Sequence, residues 1–272
     1  MITPDTKKQV IDRFNREALV WKDVHSGEIV DIIQLEVKKR KEFVREFINE
    51  RFRNKPVAML EIGCGAGRNL EEILSDNAAW EGTGVDNASA MIEHCRTQYK
   101  DNPKLSFETL DIDSNSLDRQ FDVIFLLGVV GYLGSNSVAF RNIQRMLRPG
   151  GYVIFTYGRG FSAARAVRAG VGYCTNLFRS GLSRMFQGKS NSPVRARPSF
   201  FRNYTFSDVK RAFPPEWRLV SHVNLVFGSG ILKRTSVRIS RALEPLFTRF
   251  DPLRVALTSI VVAVNELKAD TK

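Results

Sequence analysis

Short apolar runs alternate along this chain with longer stretches in which apolar residues recur every three or four positions. The helical spacing holds over Asp5 to Val20 and again over Ile32 to Phe52. Just after Pro56, the residues Val57, Met59 and Leu60 form a compact apolar run, the signature of a strand buried on both faces of a parallel sheet. Further strands are expected at Gly82 to Val85, at Leu105 to Leu110, where apolar and polar positions alternate, and at Phe121 to Leu127, apolar enough to belong to the sheet centre. A helix over Ala90 to Tyr99, started by Asn87-Ala88-Ser89, separates the second strand from the third. Met146 to Tyr157 closes another helix, turns through Arg148-Pro149-Gly150-Gly151 and opens a fifth strand. This alternation predicts an α/β fold, a doubly wound, mostly parallel sheet with right-handed crossovers and its ligand at the carboxyl ends of the strands.

Candidate chemistry begins where the first strand ends. Gly63, Gly65 and Gly67 follow it at alternate positions and lead straight into a helix, so the backbone can adopt positive φ and approach a ligand while the helix start points free N–H groups at it. Nicotinamide and flavin enzymes use a similar turn, with glycines spaced G-x-G-x-x-G. Here the order is G-C-G-A-G, preceded by Glu61 at the last strand position. The resulting E-x-G-x-G-x-G pattern resembles that of the class I S-adenosylmethionine-dependent methyltransferases. Asp86, at the end of the second strand and followed by Asn87, is placed to accept from both hydroxyls of a ribose; an acid in that role is shared with dinucleotide enzymes. The Arg148 to Gly151 turn matches the methyltransferases' LxPGG element.

The resemblance spans Val57 to Gly158 and carries further expectations. It implies S-adenosyl-L-methionine as cofactor, with Asp111 and Ile112 clasping the adenine and Leu127 lining the crevice at the end of the fourth strand. It also implies a seven-stranded sheet finished by an antiparallel hairpin, for which Glu216 to Phe227 and Ala256 to Leu267 are the available runs. Four regions are expected: an N-terminal helical lid over 1–55, the cofactor-binding core over 56–158, a cap insertion over 159–204, and the rest of the sheet with a basic amphipathic helix over 205–272. Arg40, on the helix before the first strand, is the nearest match to an arginine that meets the cofactor carboxylate in some relatives, although Lys38, Lys39 and Lys41 crowd it and a solvated charge run is the competing reading. Displacement at an already activated methyl needs no protein nucleophile and needs a base only for some acceptors. His25, on the lid, and Tyr132, after the fourth strand, are the candidates for that role, and packing is the competing reading of Tyr132.

Charge adds a feature that the hydrophobic pattern does not show. The net charge is +12, yet residues 1–157 carry 21 Lys plus Arg against 23 Asp plus Glu, whereas residues 158–254 carry 18 against 4. Arg159 to Ser207 holds nine basic residues, no acidic one, and interleaved aromatics including Phe161, Tyr173, Phe178, Phe186, Phe200, Phe201 and Tyr204. In this segment Ala163 to Phe186 has near-helical apolar spacing, and Lys189 to Pro198 reads as a polar loop. A second basic stretch, Leu232 to Phe250, reads as an amphipathic helix that could lie on an anionic membrane surface or pack on the domain. The expected partner is therefore a small-molecule or lipid-linked anionic acceptor, methylated on oxygen or nitrogen beneath the cap. An RNA methyltransferase, with the cap as a stacking and phosphate-tracking platform, is the alternative, and a noncatalytic cofactor-binding scaffold subunit is the second.

Other features narrow the class. No signal-peptide pattern or apolar run of spanning length is present, which places the expectation in the cytoplasm, with peripheral contact at the inner face of the membrane as a variant. Cys64, Cys95 and Cys174 are unpatterned and suit a reducing compartment. No Asn- or Asp-Pro-Pro-aromatic motif follows the fourth strand, and neither a Pro-Cys pair nor a metal-binding Asp stands at the strand ends. These absences disfavour nucleobase amino methylation, covalent cytosine chemistry and a catechol-type metal site, and no metal ligand is assigned.

Overall fold

The structure is a computed structural model and describes residues 3–24, 32–159, 201–227, 237–238, 240–242, 244–245 and 256–267. Two long helices, α1 (Pro4–Val24) and α2 (Ile32–Phe52), precede β1 (Val57–Ile62). Then follow α3 (Arg68–Leu74), β2 (Trp80–Asp86), α4 (Ser89–Gln98), β3 (Leu105–Thr109), β4 (Phe121–Leu126), a 3-10 turn (Val130–Tyr132), α5 (Asn136–Met146) and β5 (Leu147–Gly158). After the undescribed residues come α6 (Phe206–Lys210), β6 (Trp217–Phe227) and β7 (Ala256–Asn265).

The strands form one seven-stranded sheet in the order β3-β2-β1-β4-β5-β7-β6. Every pairing from β3 to β5 is parallel, and β7 runs antiparallel between β5 and β6, as the two C-terminal runs predict. Strand order reverses at β1 and β4, and such a switch point opens a crevice at the carboxyl ends of the strands. Alternate residues of each central strand feed two cores, which is why these strands read as continuous apolar runs. Val57, Met59, Val123 and Phe125 face Val44, Ile48, Leu70 and Ile73 of α2 and α3. Leu60, Ile62, Ile124 and Leu126 face Ala139, Phe140, Ile143 and Met146 of α5. α1 stands apart from both cores and is held at α4, where Phe14 packs on Ala88 and Met91 and the Asn15 side-chain oxygen accepts from the Ala90 N–H at 3.0 Å.

The local boundaries differ from the sequence expectations in instructive ways. β2 begins at Trp80, two residues early, because the buried indole donates to the Phe52 and Lys55 carbonyls and ties the strand start to the end of α2. α4 is not capped by a side chain of its own first residues, since Ala88 occupies the cap position and its N–H is taken by Asp86 Oδ1 at 2.9 Å. The Arg148 to Gly151 turn lies inside β5, not between a helix and a strand. α5 ends at Met146, Leu147 already pairs with Phe121, and Gly150 at φ 75° makes a bulge that shifts the register before Tyr152 meets Val123.

Of the expected cap, 160–200 lie outside the described residues, but its two ends are seen. Arg159 bridges Tyr204, and the Tyr204 N–H donates to the Gly158 carbonyl at 2.8 Å, so the insertion leaves and re-enters the domain at one point. Of the expected helix over Leu232 to Phe250, the described residues are helical; Val237 and Ser240 are buried, and Glu244 pairs with Lys39 of α2.

Candidate cofactor and acceptor site

The crevice is built first from backbone. The Gly63 and Cys64 N–H groups both donate to the Val85 carbonyl, at 2.7 and 3.1 Å, which pins the glycine turn to the end of β2. Gly63, Gly65 and Gly67 take φ of 72°, 51° and 73°, in the left-handed region that side chains avoid. Space separates their roles. A Cβ on Gly63 would lie 2.4 Å from Val129 Cγ2 and one on Gly67 would lie 2.8 Å from Tyr99 Cε2, whereas a Cβ on Gly65 meets nothing within 4 Å. Gly65 is thus the glycine that faces the crevice, and the other two allow close packing around it.

Beneath the turn, Glu61 is buried, with Oε1 accepting from Asn69 Nδ2 at 2.6 Å. Burial, reinforced by the nearby Asp86 carboxylate and opposed by Asn69, pushes its carboxyl up to about 8. Glu61 Oε2 and Asn69 Oδ1 are both buried and without a hydrogen-bond donor. Asn69 lines the crevice, so its orphaned oxygen fits a ligand that brings N–H donors.

Asp86 and Asp111 stand at the ends of adjacent strands. Asp86 accepts from the Gly65 N–H at 3.1 Å through Oδ2 and from Ala88 through Oδ1; burial raises its carboxyl while these backbone donors resist. Asp111 accepts from a different source: Lys7 Nζ, on α1, lies 2.7 Å from both of its oxygens and 2.7 Å from Asp113 Oδ2. Asn87, Ile112 and Leu127 line the same crevice, so the expected cofactor residues other than buried Glu61 and tightly packed Gly67 share one surface.

Of the two readings of the basic run in α2, Arg40 does not follow the solvated one. Arg40 has a side chain only 12% exposed, lies 3.9 Å from Glu36 and turns onto the crevice wall, where its Nη1 would be 2.4 Å from a Cβ on Gly128. Helix periodicity explains the difference: Lys38, Lys39 and Lys41 point elsewhere and pair with Glu42, Glu244 and Glu72.

Tyr132 lines the crevice between two aromatics, edge-on to Phe14 of α1 at 5.5 Å and to Phe201 at 4.9 Å between ring centroids. The second candidate base, His25, lies outside the described residues. His222 belongs to β6, where its Nε2 is 2.9 Å from the Tyr157 hydroxyl and its ring stacks on Phe206; burial and the Arg159 guanidinium push its pKa down to about 4. Lys7, Asp113, Asn69, Phe14 and Phe201 were not singled out as site residues from the sequence. Only Phe201, within the aromatic-basic segment, carried any signal.

A parallel sheet reversing at β1 and β4, a positive-φ glycine cradle at that point and carboxylates at the next two strand ends define a Rossmann-like methyltransferase fold. Comparison with known proteins agrees. Residues 60–153 match a family model described as a methyltransferase domain. The chain is 29% identical over 125 residues to a malonyl-[acyl-carrier protein] O-methyltransferase of Priestia megaterium, covering 44% of this chain and 45% of the relative. It is 30% identical over 114 residues to Nodulation protein S of Rhizobium tropici, covering 40% and 47%. The matches thus span less than half the length of these curated relatives. Among solved structures, magnesium protoporphyrin IX methyltransferase from Synechocystis with bound S-adenosylhomocysteine superposes with a TM-score of 0.62 at 13% identity, over 95% of this chain and 99% of that one. The N-methyltransferase NodS from Bradyrhizobium japonicum, also bound to S-adenosylhomocysteine, superposes with a TM-score of 0.57 at 17% identity, over 96% and 99%. The chain therefore has the fold of the class I S-adenosylmethionine-dependent methyltransferases, and residues 60–153 are similar to a methyltransferase domain. Among the described residues, no helix is long and apolar enough to cross a membrane.

Proposed function

We propose that the chain transfers a methyl group from S-adenosyl-L-methionine to an oxygen or nitrogen of a small, carrier-linked or lipid-linked anionic acceptor. The observation that carries this reading is the open position at Gly65 in a crevice that Asn69, whose buried Oδ1 lacks a donor, also lines. A ligand ammonium would satisfy the Asn69 oxygen, and Arg40 across the crevice suits the carboxylate of the same amino-acid moiety. Asp86 and Asn87 would take the ribose hydroxyls, Asp111 the adenine amino group, and Ile112 and Leu127 the apolar faces. When bound, the cofactor supplies a methyl group already activated for displacement. The protein's contribution is then to hold the acceptor in line and exclude water, for which Phe14, Tyr132 and Phe201 form an apolar roof.

The anionic acceptor rests on the charge excess of residues 158–254, and the malonyl group in the name of the Priestia relative is itself a carboxylate. In this reading 1–55 act as a lid, 56–158 as the cofactor-binding core, 159–204 as the acceptor cap and 205–272 as the completion of the sheet. Cytoplasmic placement with reversible contact to anionic lipid belongs to the same proposal. Calorimetric titration tests the cofactor half: micromolar binding of S-adenosylhomocysteine is expected, abolished by Gly65→Arg, which both strains a positive φ and fills the cradle. Incubation with cell extract and deuterated-methyl cofactor tests the acceptor half; label in an anionic metabolite or carrier supports it, and label confined to RNA replaces it.

A further inference from the structure

The contact between α1 and the strand ends has a chemistry of its own. Lys7 Nζ sits 2.7 Å from both oxygens of Asp111, so one ammonium contacts each oxygen of that carboxylate. Asp113 is held differently. Besides Lys7, its oxygens accept from the N–H groups of Gly134 at 2.8 Å and Ser135 at 3.3 Å, so it stays satisfied at the start of α5 without any lysine. Asp111 has less reserve; among the described residues its other side-chain donor is the Asp113 N–H, at 3.1 Å on Oδ1. Lys7 is fixed as a cation, since burial lowers its pKa but the hydrogen bonds to Asp111 and Asp113 raise it further, above the ordinary lysine range.

We propose that Lys7 is a specificity-setting gate residue that competes with an incoming 6-aminopurine for Asp111, and that a nucleoside enters by shifting the ammonium onto Asp113. This rests on the assignment of Asp111 to the adenine amino group. An ammonium has three donors, so Lys7 can keep Asp113 and release one Asp111 oxygen without leaving the crevice. The side chains of Lys7, Asp111 and Asp113 are 22%, 34% and 13% exposed, which makes the competing ion pair partly screened and sensitive to salt. α1 does not depend on Lys7 for its position, because Val10 is buried, Phe14 packs on Tyr132, and Asn15 accepts from Ala90.

The decisive probe is 5′-deoxy-5′-methylthioadenosine, an uncharged nucleoside whose own interactions carry no salt term. Competition predicts that native protein binds it more tightly as salt rises from about 50 to 500 mM. Lys7→Met should bind it roughly fivefold more tightly at low salt and lose the salt dependence, whereas Lys7→Arg should retain it. Circular dichroism and S-adenosylhomocysteine titration accompany each variant. A folded Lys7→Met that binds the nucleoside no better than native protein, or less well, overturns the gate while leaving the cofactor assignment standing. Native protein that binds neither nucleoside nor S-adenosylhomocysteine overturns both.

Discussion

Asp86 and Asp111 stand at the ends of neighbouring parallel strands, and their surroundings set them apart. Asp86 is bonded to backbone, with one oxygen on the glycine turn and the other on the start of α4. These donors cannot move without moving the fold, so the carboxylate is fixed before any ligand arrives. Asp111 is bonded to a flexible side chain from a helix that packs outside both main cores. One site is part of the frame, and the other is shared between the frame and α1. The contrast sets a preorganised half, whose fixed donors lower the cost of ordering on binding, beside a half held by a side chain that the proposed gate requires to move.

The sharpest way to break this comparison is to remove each carboxylate in turn. Asp86→Ala is expected to weaken S-adenosylhomocysteine binding about a hundredfold or more, on the order of 3 kcal/mol, because it removes a charged hydrogen-bonding group and unties the Gly65 N–H. Asp111→Asn keeps an acceptor and should cost only about tenfold, and it should also abolish the effect of Lys7→Met. Calorimetry on the single and double variants measures both. Equal losses at the two sites would erase the distinction between frame and lid.

Glu61 tests the frame half through pH. Its carboxyl is raised from 4.5 to about 8 in the folded protein. Between those values the native state holds a proton that the unfolded chain has released, so the associated stability is complete below pH 4.5 and is lost as pH rises through about 8. Thermal unfolding of the ligand-free protein should therefore show stability falling by on the order of 4 kcal/mol from pH 5 to pH 9 through this group, and Glu61→Gln should flatten that slope. A Glu61→Gln profile that falls as steeply as the native one would show that the buried carboxyl is not the source. The smallest effect is expected on the lid half. Tyr132→Phe retains both edge-on ring contacts and should change kcat less than about threefold, whereas Tyr132→Ala forfeits them, at about 1 kcal/mol each. A loss of a hundredfold or more in kcat for Tyr132→Phe would make the hydroxyl a catalytic group.

Much of the frame was legible because its determinants are local. Val57 to Gly67 encode a strand, a positive-φ turn and a helix start within eleven consecutive residues, and the apolar runs at Phe121 to Leu127 and Ala256 to Leu267 mark central strands whatever lies far along the chain. The bulge at Gly150 was less legible, since a Pro-Gly-Gly turn reads the same whether it precedes a strand or interrupts one. Arg40 stood between two readings for a related reason: four consecutive basic residues look solvated until the helix phase shows which one faces inward.

Lys7 shows where local reading stops. Its partner is 104 residues away, and no periodicity, cap or motif near either residue announces the contact. The same holds for Phe14 with Tyr132, for Glu36, whose carboxylate accepts from Thr258 at 2.6 Å across 222 residues, and for the closure of the insertion at Arg159 and Tyr204. The sequence by itself determined the strand order's raw material, the glycine cradle and the carboxylates at the strand ends, because backbone conformation and burial pattern follow from neighbours in the chain. Only the tertiary structure decided which cation meets Asp111, which arginine enters the crevice and which rings roof it. Those are meetings of side chains brought together by packing, and their energies depend on distances that no stretch of sequence contains.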